Sequence, residues 1–80
     1  MKIPRDLDAS ELIKLLKSYG YIVTRQTGSH IRLTTIVNSQ HHITIPNHSP
    51  LKIGTLAAIL TDIAFHFNKT KEELMQELFN

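Results

Sequence analysis

Apolar residues recur at helical spacing at both ends of this chain and alternate with polar ones in its middle. Leu12, Leu15, Leu16 and Tyr19 fall on one side of a helix, with Lys14, Lys17 and Ser18 mainly on the other. The run Leu7-Asp8-Ala9-Ser10-Glu11-Leu12 starts that helix. Asp8 is the capping residue, Glu11 completes a capping box, and Leu7 and Leu12 stand where a hydrophobic staple needs them. Gly20 stops the helix as a left-handed residue. Tyr21 to Gln26 is rich in β-branched and aromatic residues and predicts a strand. Thr27-Gly28 predicts a tight turn. From Ser29 to Thr35, Ile31, Leu33 and Thr35 face one way and His30, Arg32 and Thr34 the other. Asn38-Ser39-Gln40 makes a second turn. His41 to Pro46 alternates again, Ile43 and Ile45 against His42, Thr44 and Pro46. Three strands joined by short turns form an antiparallel meander.

Pro46 ends the third strand, and Asn47-His48-Ser49-Pro50 is a loop by composition. A second helix begins near Leu51 to Gly54 and runs to about Phe65, with Leu56, Ile59, Leu60 and Ile63 as its buried stripe. Thr70 with Glu73 is another capping box, opening a short third helix whose apolar face holds Leu74, Leu78 and Phe79. The order α-β-β-β-α-α predicts an α+β fold, with the helices covering one face of the sheet. Inward positions are Tyr21, Val23, Ile31, Leu33, Ile43 and Ile45. The outward face carries Thr24, Gln26, His30, Arg32, Thr34, His42 and Thr44, and Ile22 is its one misfit.

Size narrows the choices. Eighty residues make a single domain spanning 1–80, with a thin core. Rossmann, TIM-barrel and α/β-hydrolase architectures need far more chain. With no cysteine there is no disulfide framework, thiol nucleophile or thiolate zinc site. No apolar run approaches the ~20 residues that span a bilayer. The stretch MKIPRDLDAS lacks a signal-peptide core. The expectation is a soluble cytoplasmic protein that makes no use of membranes.

The net charge of +2 hides a segregated distribution. No carboxylate occurs between Leu12 and Thr61, a segment holding Lys14, Lys17, Arg25, Arg32 and Lys52 with four of the histidines. A positive stretch without internal counter-ions attracts polyanions, nucleic acid first among them. The plainer reading is a solvated basic surface. Paired-carboxylate chemistry needs converging acids that this segment lacks, which argues against glycosidase and two-metal nuclease mechanisms.

His30 is the candidate for chemistry. It follows Gly28-Ser29 on the open face, and histidine is the side chain suited to acid–base work near neutral pH. Such a group can take the proton of a ribose 2′-hydroxyl or protonate a leaving oxygen. Against this stands the ordinary exposed strand histidine. Ser29 points away from His30, so a Ser–His pair is poor geometry. His41 and His42 face opposite ways and cannot share an ion. A site from His30, His42 and His48 lacks the usual fourth ligand, so no metal or other cofactor is expected. Pro50 to Thr55, with Lys52, Gly54 and Thr55 at a helix start, suits a phosphate. Its alternative is packing, with Gly54, Ala57 and Ala58 letting the helix lie close to the sheet.

The stretches Leu12-Ile13-Lys14-Leu15-Leu16, Gly20-Tyr21, Arg25-Gln26-Thr27-Gly28-Ser29-His30, Ile43-Thr44-Ile45-Pro46-Asn47-His48, Lys52-Ile53-Gly54-Thr55-Leu56 and Ile59-Leu60 occur in order over residues 7 to 66. Together they resemble the HicA family of toxins. The resemblance implies a fold like the double-stranded-RNA-binding domain, here with an extra C-terminal helix. It implies a small metal-independent ribonuclease that cleaves mRNA and blocks translation. It also implies a HicB-like antitoxin that covers the catalytic histidine, which falls on His30, in a homo- or hetero-oligomer. RNA contacts fall to Arg25, Gly28, Ser29, Arg32, Lys52 and Thr55, with His42 or His48 as a possible second acid–base group. The short first turn lacks the long loop that duplex-RNA binders use. The third helix, acidic and beyond the resemblance, suits core cover or a partner interface. Two rivals stand beside the ribonuclease: a non-catalytic RNA-binding module or translational repressor, and a pure protein-interaction domain.

Overall fold

Capping and alternation produce the elements where the pattern puts them. In the computed structural model, which describes residues 3–79, α1 spans Ala9–Leu16, β1 Ile22–Thr27, β2 His30–Thr35, β3 His41–Pro46, α2 Ile53–His66 and α3 Lys71–Phe79. Asp8 caps α1, and its N–H donates to the Glu11 carboxylate at 2.9 Å. At α3 the box is closed both ways: the Thr70 N–H donates to Glu73 at 2.8 Å and the Glu73 N–H to the Thr70 hydroxyl at 3.0 Å. Those bonds hold the Glu73 carboxyl below its usual range.

A short 3-10 turn, Lys17–Tyr19, carries α1 into Gly20, where φ is +83°. The site is also crowded. A Cβ there would lie 2.7 Å from both the Thr35 hydroxyl oxygen and a Val37 methyl. Gly20→Ala should therefore cost about 2 kcal/mol or more, from left-handed strain plus the clash. Urea unfolding tests this, and a loss below about 0.5 kcal/mol, the range of neutral surface changes, would remove the argument.

The sheet order is β1-β2-β3, antiparallel throughout. Its inner face supplies Ile31, Leu33, Ile43 and Ile45 to a core completed by Leu12 and Leu16 of α1, Leu56, Leu60 and Ile63 of α2, and Leu74, Met75 and Leu78 of α3. The α+β, double-stranded-RNA-binding-domain-like arrangement with an extra helix is thus what the chain adopts. α3 is core cover. It buries Met75 as well as Leu74 and Leu78, and Glu77 takes the Tyr19 hydroxyl and the Lys69 ammonium.

Strand β1 and the first turn depart from the pattern. Between Val23 and Arg25 the β1–β2 register shifts, leaving Thr24 as the extra residue of a bulge. Beyond it the phase of β1 inverts. Gln26, expected outward, opposes Ile31 on the helix side, while Arg25 and Thr27 join the open face. Val23 opposes Leu33 as an inward residue should, yet it is 48% exposed: the helices leave the β1 edge of the inner face open while they bury Ile43 and Ile45 at the β3 edge. The first turn is Gly28-Ser29 rather than Thr27-Gly28, since Thr27 pairs with His30. Gly28 takes φ +58°, the positive angle that two-residue hairpin loops require.

The far end of the sheet is tied to α2 through a polar chain that adjacency in sequence does not reveal. The Tyr21 hydroxyl meets His41 Nδ1 at 2.7 Å, and His41 Nε2 meets Asp62 at 3.1 Å. His66 stacks on His41 with ring centroids 4.4 Å apart and its Nε2 reaches the Val37 carbonyl at 3.0 Å. Burial, and secondarily the Asp62 carboxylate, pushes the Tyr21 phenol well above its usual value of about 10. The unfolded chain releases that proton first as pH rises. The stability linked to Tyr21 is therefore intact below about pH 10 and lost progressively above it. Melting curves of the wild type and Tyr21→Phe across that range should converge as pH rises; parallel curves would show that Tyr21 does not contribute.

Candidate nucleic-acid interface

The face of the sheet turned away from the helices is built in three cross-strand rows. Thr27, His30 and Pro46 form the first, Arg25, Arg32 and Thr44 the second, and Ile22, Thr34 and His42 the third. His30 begins the central strand directly after the tight turn, with an exposed side chain. Only backbone pairing positions it, so its imidazole is free to meet a ligand. Gly28 and Ser29 stand exposed beside it. Arg32 follows two residues later on the same face, and the bulge brings Arg25 opposite it.

Backbone bonds lock the neighbouring loop to this end. The Asn47 N–H donates to the Ser29 carbonyl at 2.6 Å, and the His48 N–H turns back to the Pro46 carbonyl at 2.8 Å. Ala9 of α1 then donates to the His48 carbonyl at 3.2 Å, and Leu51 to the Leu7 carbonyl at 2.8 Å. The Ser49 hydroxyl donates to the Asp8 carboxylate. A carboxylate distant in sequence thereby reaches the loop after β3, which the acid-free central segment does not reveal.

His42 belongs elsewhere. It opposes Thr34, four residues along β2 from His30, about 13 Å at ~3.3 Å per residue. Its Nδ1 meets the Thr34 hydroxyl at 2.7 Å, and Thr34 meets the Thr24 hydroxyl at 2.9 Å. That polar chain fixes the third row and holds His42 away from His30. Among the described residues, no group of three or more histidine and carboxylate side chains is placed to hold a metal ion.

Lys52 and Thr55 lie on a different surface. Lys52 is the exposed capping residue of α2 and Thr55 its half-buried third residue, in the helix layer rather than on the sheet face. The packing alternative for this segment fails at Gly54, where a Cβ would meet nothing within 4 Å, and at Ala58, which is exposed. No pocket opens among the described residues.

Comparison with protein families matches residues 9–64 to the family described as "HicA toxin of bacterial toxin-antitoxin". The match takes in α1, the whole sheet and most of α2, and leaves α3 outside. No curated protein and no solved structure matches the chain.

Proposed function

The chain belongs to the HicA toxin family of toxin–antitoxin systems, and from that premise we propose that it is a metal-independent endoribonuclease that cleaves mRNA and so inhibits translation. The observation that carries this reading is His30, exposed at the start of the central strand and one row from two arginines. His30 takes the proton of the ribose 2′-hydroxyl, whose oxygen attacks the adjacent phosphorus. Arg25, Arg32 and the Gly28-Ser29 turn contact the RNA on the sheet face. Lys52 and Thr55 hold a phosphate farther along the strand. Imidazoles, guanidiniums and hydroxyls make a poor donor set for Mg²⁺, which asks for carboxylate oxygen.

A flat face without a groove-probing loop suits single-stranded RNA, whose unstacked bases and 2′-hydroxyls are accessible. One acid–base group supplies only about 10²–10⁴-fold, so cleavage is slow. A slow cut still removes a message. A HicB-like antitoxin binds over His30 in a hetero-oligomer and keeps the enzyme silent in the cytoplasm. Among the described residues no helix is long and apolar enough to cross a membrane.

Purified, antitoxin-free protein incubated with mRNA in EDTA tests the reading. Cleavage products are expected, and their loss on adding antitoxin. RNA bound but intact after long incubation would instead support a repressor that binds without cutting. Affinity should fall with salt, with a log–log slope of about −0.7 for each phosphate contacted on a single strand. A slope near zero would sink the basic-face contacts.

A further inference from the structure

The β1–β2 ladder sets two arginines face to face. Arg25 and Arg32 are direct partners, so their Cα atoms lie about 4.5–5.5 Å apart. Both belong to the open face, because Arg32 alternates with buried Ile31 and Leu33. Like charges directly opposite one another destabilise a sheet. Yet among the described residues neither guanidinium has a carboxylate within ion-pair distance. The bulge creates this pairing. In an unbroken ladder Thr24 would oppose Arg32, and Arg25 would turn toward the helices opposite Ile31. One extra residue thus concentrates positive charge where regular alternation would disperse it. His30 lies two residues before Arg32 on the same strand and face, about 7 Å along β2.

We propose that Arg25 and Arg32 form a single anion clamp that holds the scissile phosphate against His30 and stabilises the charge that builds on it. This rests on the ribonuclease reading and sharpens it: the pair acts on the reacting phosphate, not on the strand in general. Guanidinium forks match phosphate oxygens two at a time. In the reaction the 2′-oxygen bonds to phosphorus while the bond from phosphorus to the 5′-oxygen breaks. The 2′-hydroxyl proton goes to His30, the 5′-oxygen leaves with a proton from water, and the hydroxide so formed takes the proton back from His30. One product ends in a 2′,3′-cyclic phosphate and the other in a 5′-hydroxyl. The five-coordinate phosphorus carries one more negative charge than the bound diester. The clamp meets that added charge, so its effect belongs to the rate of the bound complex.

The test compares wild type, Arg25→Ala, Arg32→Ala, the double variant and Arg32→Lys in single-turnover cleavage of one RNA at saturation. Affinity is read separately on an all-2′-O-methyl RNA of the same sequence, which has no 2′-hydroxyl to attack. Each alanine variant should cleave about 10²-fold more slowly while binding within a few-fold of wild type. The double variant should fall well short of the product of the single losses, since both groups serve one phosphate. Lysine, a point charge, should restore only part of the rate. Melting temperatures of the alanine variants should hold or rise as the like-charge pair is relieved. Losses confined to affinity, or single losses that multiply in the double variant, overturn the clamp and leave two ordinary backbone contacts. A cleaving wild type with arginine variants at full rate overturns the clamp alone. A wild type that leaves the RNA whole overturns the ribonuclease reading and the clamp with it.

Discussion

His30→Ala should leave a folded protein whose RNA cleavage falls by about 10²–10⁴-fold, the usual contribution of one positioned acid–base group. The fold should survive because His30 is exposed and its backbone pairs with Thr27 and Pro46 whatever the side chain. Among the described residues its imidazole makes no hydrogen bond that removal would orphan. Cleavage of a defined mRNA, with a melting curve beside it, reads both quantities. A growth assay supplies the cellular counterpart, in which the alanine variant loses toxicity. His30→Gln should fail equally, since an amide keeps the polarity and cannot take the proton. If a folded His30→Ala protein cuts RNA at the wild-type rate, the assignment of the general base is wrong. His42→Ala should keep most of the activity, because His42 stands ~13 Å down the sheet and is held by Thr34.

Leu33→Ala should cost about 3 kcal/mol, a large share of the stability of so small a chain. Leu33 is fully buried on the central strand, with Val23 and Ile43 as its cross-strand partners. An 80-residue domain has roughly 4–12 kcal/mol in all. The cavity sits under Arg32 and Thr34, so RNA cleavage should decline with the folded fraction. Urea unfolding monitored by circular dichroism gives the free energy. A loss under about 1 kcal/mol would mean that the helices collapse onto the gap and that the sheet is less rigidly packed than its burial implies. Loss of cleavage in a fully folded Leu33→Ala protein would point instead to a shift of the open face.

Helix caps, alternation and turn composition were legible because each acts within a few residues. Asp8 with Glu11, and Thr70 with Glu73, reach their own backbone, and the structure shows those bonds. The outward placement of His30 is legible for a similar reason: the tight turn before it and the Ile31–Leu33 alternation fix its face locally. The bulge at Thr24 is not. Nothing in Thr24 itself requires an extra residue there; the register emerges only when β1 is laid against β2. The bulge turns Gln26 to the helix side, brings Arg25 and Thr27 to the open face, and so forms the arginine pair that alternation does not show. Val23 takes the inward face that alternation assigns it and still stands half exposed, because alternation gives the face of a residue and not whether a helix covers it.

The order of elements, the buried face of the sheet, the basic central segment and the candidate histidine can all be read along the chain. These follow from short-range periodicity and from counts of charge. Which distant groups meet depends on how the elements pack. That packing ties Asp62 to His41 and Tyr21, carries Asp8 to the loop after β3, puts His42 beyond the reach of His30, and sets Arg25 against Arg32. Strand register is a non-local quantity, and a shift of one residue exchanges the two faces of a strand. A single bulge is therefore enough to turn a dispersed positive segment into a paired charge beside the histidine.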